Sequence, residues 1–375
     1  MIKLLRESVW VALLAAVVVI GAELMSRVDD AVRSGTPLLA SPSYTDLTMQ
    51  DSLGVRGRPF ARYQKWKLNS AGFRSQEISF SPRPDCIRVA IMGASETFGY
   101  AESPGKEFPS QLADSLARGG CYEIMNTAVT GLPLTGQVQL WENWVSRFQP
   151  NVVVIYASPA FYLSNDPPEF ASLTRLGTVA SAMTHSTRTA VGLTGFSSRL
   201  LGRLKDRIDY PDFIQRRRVM TRIAKEVKGQ RDDWFYKRVP HDRLELFRHH
   251  LDSLITDVRA SGAMPVLVTH AMRFGDQLDT KDQDLLRSWR QFTPRATEKV
   301  LMGFELATAA TVRDLARERK VPIADVAAAM NGRTKWFADF AHFNDEGAGV
   351  IAQCIASTVE RAHVTRPSIE FSAAR

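Results

Sequence analysis

The chain has 375 residues, more than one average domain, and its 45% apolar and 23% charged residues match an ordinary globular protein rather than a disordered or fibrous one. A formal net charge of +8 favours acidic partners such as anionic polysaccharide or lipid headgroups, but no known nucleic-acid-binding module is visible, so nucleic acid is not an expected partner. Cys86, Cys121 and Cys354 show neither CxxC nor Cys/His ligand spacing, so no metal and no cofactor is expected.

Lys3 and Arg6 precede an uncharged stretch from Ser8 to Ala22, which Glu23 interrupts. A basic segment followed by an apolar one reads as a secretion signal or signal anchor. The stretch is short against the roughly 20 apolar residues of a spanning helix; Leu4, Leu5, Leu24 and Met25 extend it. No clean small-x-small cleavage site follows, so residues 1–25 are expected to be an uncleaved, single-pass anchor in the inner (cytoplasmic) membrane. The positive charge ahead of it holds that end in the cytoplasm and puts the rest of the chain outside, in the periplasm of a Gram-negative cell. Residues 26–85 lack a long period and read as a linker and arm, with Asn69-Ser70-Ala71-Gly72-Phe73-Arg74 within it.

From there strands and helices alternate. Ile87–Met92 reads as a buried strand, Glu107–Arg118 as a helix closed by Gly119-Gly120, Tyr122–Asn126 as a strand and Gln137–Phe148 as a helix broken by Pro150. Val152–Tyr156 is a β-branched run typical of a central parallel strand. Helix–strand pairs follow at Asp242–Ala260 with Pro265–Thr269 and at Ala296–Arg319 with Val321–Asp325, and a last helix runs from Glu346 to Arg361. This order predicts an α/β domain over 86–365, a doubly wound, flavodoxin-like parallel sheet, with 366–375 as a tail. The alternation lapses over about 163–240, too long for a simple connection, so a helical insertion is expected there.

Cys86 and Cys121 each precede one of the first two strands. In flavodoxin-like order those strands are parallel neighbours, so both cysteines should meet at the amino edge, where an oxidising compartment permits a disulfide. Cys354, on the last helix, should be a buried free thiol.

Two segments carry chemistry. Gly93-Ala94-Ser95-Glu96-Thr97-Phe98-Gly99 joins a strand to a helix at the carboxyl edge of the sheet, where reacting groups of such folds gather. A serine hydroxyl there can face the cleft while its own N–H faces a developing oxyanion; the same serine could equally be a helix N-cap. Asp339-Phe340-Ala341-His342 then offers, from one loop, a base for the hydroxyl and a carboxylate to hold the imidazole's tautomer. His270 follows a strand and is expected to be non-catalytic, since one base suffices. His249 and His250 read as helix-surface residues.

Together these segments resemble the SGNH/GDSL hydrolase superfamily over about residues 86–362. Gly93-Ala94-Ser95 stands where that family's Gly-Asp-Ser block holds its nucleophile, with Ala94 in place of the aspartate. Asn126-Thr127-Ala128-Val129-Thr130-Gly131 matches the block whose last glycine gives an oxyanion N–H, and Asp339-Phe340-Ala341-His342 matches the acid–base block. The resemblance implies Ser95, Asp339 and His342 as a catalytic triad, and Ser95 and Gly131 as oxyanion donors. The family's Gly-x-Asn-Asp block is missing, because the chain reads Tyr156-Ala157-Ser158-Pro159 at that place. Asn165 is the first asparagine beyond and is expected to supply the third donor if its loop folds back. Asn69–Arg74 and the anchor are similar to SGNH proteins of exopolysaccharide and envelope synthesis. The implied function is a serine esterase or deacetylase acting on O-acyl, chiefly O-acetyl, esters of acylated carbohydrate or another small ester, in company with envelope polysaccharide machinery. The alternatives are a polysaccharide O-acetyltransferase using the same triad, and a non-catalytic glycan-binding or assembly subunit.

Overall fold

The computed structural model describes residues 2–34, 37–39, 44–164, 198–207 and 212–364. Helix α1 (Ile2–Ser34) runs well past the apolar stretch and leaves Trp10, Leu14, Val18 and Ile20 exposed. A helix that is apolar all round is stable against lipid rather than water, and its Glu7–Val32 segment is long and apolar enough to cross a membrane.

The arm contains regular structure that the sequence pattern does not announce. Strands β1 (Thr48–Asp51) and β2 (Gly54–Gly57) pair antiparallel, as do β3 (Arg62–Tyr63) and β4 (Trp66–Lys67). The first hairpin closes through Gly54 at φ +101° and an Asp51 carboxylate that accepts the Leu53 N–H at 2.9 Å. Strands this short show no legible period. Tyr44, Tyr63 and Trp66 of the arm pack with Phe98 and Tyr100, fixing the arm to the segment that carries Ser95.

The domain beyond holds a five-stranded sheet: β5 (Ile87–Met92), β6 (Tyr122–Asn126), β7 (Val152–Tyr156), β8 (Met264–Val268) and β9 (Ile323–Ala324). The order is β6-β5-β7-β8-β9 and every pair is parallel, as the alternation predicts. The helices are α2 (Ser95–Phe98), α3 (Phe108–Leu116), α4 (Leu134–Asn143), α5 (Arg199–Arg207), α6 (Asp212–Val227), α7 (His241–Ala260), α8 (Thr280–Arg290), α9 (Glu298–Arg319), α10 (Val326–Met330) and α11 (Asp345–Val364). The strands read as unbroken apolar runs because both faces are covered. Ala90, Met92, Val153 and Ile155 face one core with α4, α7 and α9, whereas Val89, Ile91, Val152 and Val154 face a second with α3 and α11.

Boundaries move where local chemistry overrides the pattern. Helix α4 starts at Leu134, after Pro133, and gives way at Trp144 to a 3-10 turn that ends on left-handed Gln149. β9 shrinks to two residues at the sheet edge. The register pairs Ile87 with Tyr122, so the residues just before them meet, and Cys86 and Cys121 form a disulfide across Cα atoms 4.6 Å apart. Cys354 is free as expected but half-buried, packed on the margin of the second core, rather than buried as expected.

Within the insertion, α5 docks on α1. Glu23 accepts from the Ser198 hydroxyl at 2.8 Å and the Leu200 N–H at 2.9 Å, and Arg203 pairs with Asp29 at 2.7 Å. Asn165 and the 366–375 tail lie outside the described residues.

Candidate active site

The Ser95 turn is tight by necessity. A Cβ on Gly93 would stand 2.0 Å from Thr97 Oγ1 and 2.9 Å from the Tyr156 carbonyl, so only glycine lets β5 turn against β7. Helix α2 is a single turn that ends at Gly99 with φ +87°. Arg74 caps its carboxyl end, its guanidinium donating to the Phe98 and Gly99 carbonyls at 2.7 and 2.6 Å and pairing with Glu107 at 3.0 Å. The Asn69–Arg74 segment exists as a turn that delivers this arginine: Asn69 Oδ1 accepts the N–H groups of Ala71 and Phe73 at 3.0 and 2.9 Å.

The Ser95 hydroxyl lies 2.9 Å from His342 Nε2, and His342 Nδ1 lies 2.7 Å from Asp339 Oδ2. The other Asp339 oxygen accepts the Ala341 and His342 N–H groups, both at 2.8 Å. The loop closes on itself through the Ala338 N–H and His342 carbonyl at 2.8 Å. Asn344 caps α11 by accepting the Gly347 N–H at 2.9 Å, so capping anchors the loop and does not compete with it. Ser95 and His342 are buried and Asp339 is half-buried. Burial pulls the His342 pKa down, but Asp339, then Glu96 and Glu102, outweigh it and raise the value above the usual histidine range. Burial raises Asp339, yet the facing His342 holds it below the usual carboxylate range. The Tyr100 ring lies 4.7 Å from the imidazole.

Gly131 sits at φ +75° in the loop after β6. That loop is sewn to the Ser95 turn by the Thr127 N–H on the Ile91 carbonyl at 3.0 Å and the Val129 N–H on the Gly93 carbonyl at 3.3 Å. Among the described residues, no backbone carbonyl accepts from the N–H of Ser95 or Gly131. Ser158 stands near the place of the missing asparagine and is buried, with its hydroxyl donating inward to Glu96 at 3.0 Å.

Sequence reasoning missed the groups packed behind Ser95. His270 is buried with a carboxyl oxygen on each ring nitrogen, Glu96 at 3.2 Å and Glu305 at 2.7 Å. The available signal was Glu96 itself, a charge inside an apolar strand–turn–helix. His250 departs from the surface reading: it is half-buried and its Nδ1 lies 2.7 Å from the Tyr162 hydroxyl, while His249 is exposed. Among the described residues, no group of three or more His, Cys, Asp or Glu side chains could hold a metal ion.

No protein-family model matches the chain, and no curated protein matches it. Solved structures similar to it include an alpha/beta hydrolase from the metagenome of Lake Arreo, Spain, at 13% identity and TM-score 0.42, covering 75% of this chain and 97% of that one. A GDSL-like lipase from Bacteroides thetaiotaomicron is similar at 12% identity and TM-score 0.37, over 73% of this chain and 88% of that one. A variant of an acetyl-xylooligosaccharide esterase from Geobacillus Stearmophilus is similar at 13% identity and TM-score 0.41, over 73% and 94%.

Proposed function

We propose that the chain is a membrane-anchored SGNH-type serine esterase that removes O-acyl groups, O-acetyl above all, from envelope or exopolysaccharide glycans. The observation that carries this reading is the unbroken chain from the Ser95 hydroxyl through His342 to Asp339, at 2.9 and 2.7 Å. Ser95 Oγ attacks the ester carbonyl as His342 Nε2 takes its proton, and Asp339 holds the imidazolium. The N–H groups of Ser95 and Gly131 receive the oxyanion. His342 returns the proton to the leaving alcohol, and water, activated by the same imidazole, releases the acid and frees Ser95.

The exposed apolar face of α1 supports the anchor, and the Cys86–Cys121 disulfide supports an oxidising compartment outside the cytoplasm. The net charge of +8 supports an anionic glycan as carrier of the ester.

The test is acetyl release from a chromogenic acetyl ester by the full-length chain in detergent, with covalent capture by a fluorophosphonate. Turnover and one adduct, mapped to Ser95, are expected. Turnover that survives Ser95→Ala refutes the assignment.

A further inference from the structure

Behind the candidate nucleophile lies a set of titratable side chains that the triad does not use. Glu96, buried on α2, accepts from the Ser95 hydroxyl at 3.2 Å through Oε2. Its Oε1 accepts from Ser158 at 3.0 Å and faces His270 Nε2 at 3.2 Å. His270, at the end of β8, reaches Glu305 of α9 through Nδ1 at 2.7 Å. Between two ionised carboxylates a neutral imidazole would set a lone pair against one of their oxygens, so the arrangement favours His270 with both nitrogens protonated, an imidazolium.

We propose that Glu305, His270 and Glu96 form a second carboxylate–imidazolium relay on the far side of the Ser95 hydroxyl, in which Glu96 is a positioning residue that holds the hydroxyl and makes His342 a stronger base. The proposal rests on the esterase reading of Ser95 and His342, which it deepens.

The hydroxyl has one proton and two neighbours able to take it as acceptors. When His342 is neutral, Nε2 and Glu96 compete for that proton. When His342 is protonated, its Nε2–H donates to Ser95 Oγ and the hydroxyl proton turns to Glu96. A continuous chain of donors then ends on a carboxylate, which stabilises the imidazolium. Burial pulls the His270 pKa down, but Glu305 and Glu96 outweigh it and raise the value. Burial raises Glu96, and the facing His270, with His342 behind it, more than reverses that shift. Glu96 is thus a fixed negative charge beside Ser95.

Three carboxylates bear on the titration of His342. Asp339 comes from its own loop, Glu96 from α2, and Glu102 from the segment after α2, beside the Tyr100 ring. Glu96 in turn faces Ser158 and Tyr156 at the end of β7 as well as His270. Burial pushes Glu102 up to about 7, so it titrates in the same range as the imidazole. A rate profile therefore reports a coupled quantity, and His342 has to be read directly.

The experiment is a histidine NMR titration of the full-length chain in detergent, labelled at its seven histidines, beside pH profiles of kcat/KM on an acetyl ester. Glu96→Gln keeps the size and one of the two acceptor oxygens but removes the charge. The His342 pKa should fall by about one pH unit, the usual effect of losing an opposite charge at close range, and the acid limb of kcat/KM should move to lower pH with it. The plateau of kcat should fall roughly three- to tenfold, as expected for a weaker base, with KM held. A His342 pKa that moves by less than about 0.3 unit overturns the proposal. A fall in that pKa in a chain with no ester turnover would keep the relay and remove the esterase reading. If Glu96→Gln does not fold, the wild-type chain still decides: His270 should show both ring nitrogens protonated at neutral pH, and a neutral His270 there overturns the proposal.

Discussion

Arg74→Met tests whether the arm holds the Ser95 turn in place. The arginine is buried, pairs with buried Glu107 at 3.0 Å, and donates to two carbonyls at the end of α2. Breaking a buried pair from one side costs roughly 3–5 kcal/mol, because the remaining charge is left without a partner. Here the cost should fall at the low end. Glu107 keeps the Ser110 hydroxyl at 2.6 Å and the Gly105 N–H at 3.1 Å. The carbonyls keep only long contacts, from Trp66 Nε1 at 3.4 Å and Asn126 Nδ2 at 3.5 Å. About 3 kcal/mol in a domain of this size lowers Tm by roughly 6–12 °C. Because α2 carries Ser95, ester turnover should fall by about tenfold, a fraction of what a 1 Å misplacement can cost. Thermal unfolding of Arg74→Met beside Arg74→Met/Glu107→Leu separates the charge from the lost packing, and the double variant should recover about half of the loss. If the single variant melts within about 1 °C of wild type, or the double variant melts no higher than the single, the clamp argument is wrong.

Asp339→Asn should lower kcat by about 10⁴-fold, with helical and sheet signals unchanged by circular dichroism, because the imidazole loses its tautomer control. The acid limb of activity should lie above the usual histidine value: His342 is raised, a protonated ring cannot accept the Ser95 proton, and turnover is lost as pH falls through that raised pKa. A limb near pH 5 in a buffer series would contradict this sign. Reducing Cys86–Cys121 opens a loop of sequence separation 35 and should cost about 4 kcal/mol, read as a drop in the denaturant midpoint with and without a thiol reductant. Gly93→Ala places a methyl 2.0 Å from Thr97 Oγ1 and should abolish soluble folded protein, whereas Gly202→Ala, exposed on α5 with open space around it and no positive φ, should express normally.

The sheet was legible because its strands are buried on both faces and each is followed by a punctuated helix. The disulfide was legible for the same reason, since strand order alone brings Cys86 beside Cys121. Asp339 and His342 were legible because three-residue spacing on one loop suffices to deliver both. The arm hairpins were not, being two to four residues long and held by aromatic contacts distant in sequence. Glu96 and Glu305 were not legible either, and of Arg74 and His270 only the segment and the strand end that carry them were. Only the folded chain shows Glu96 and His270, 174 residues apart, facing each other.

The segment after β7 and the carboxylate behind Ser95 meet for a topological reason. Because β5 pairs with β7, with Met92 opposite Ile155, the residues just past Tyr156 must lie beside the Ser95 turn. An asparagine there would be long enough to offer its amide to the cleft. Ser158 is shorter, and its hydroxyl is already committed to Glu96 at 3.0 Å. That hydroxyl fixes a carboxylate and is not free to face the cleft. Losing an oxyanion donor costs about 3–4 kcal/mol of transition-state stabilisation. A more basic His342 offsets only part of that, since general-base gains follow Brønsted behaviour and return a fraction of each pKa unit. In the proposed mechanism the chemistry leans on the proton-transfer side of the site more than on the oxyanion side. The consequence is specific: Ser158→Ala, which leaves the backbone donors of Ser95 and Gly131 in place, takes a donor from Glu96 but not its charge, so the pH limb of activity should hold or rise, opposite in sign to Glu96→Gln, while the KM for the ester stays unchanged.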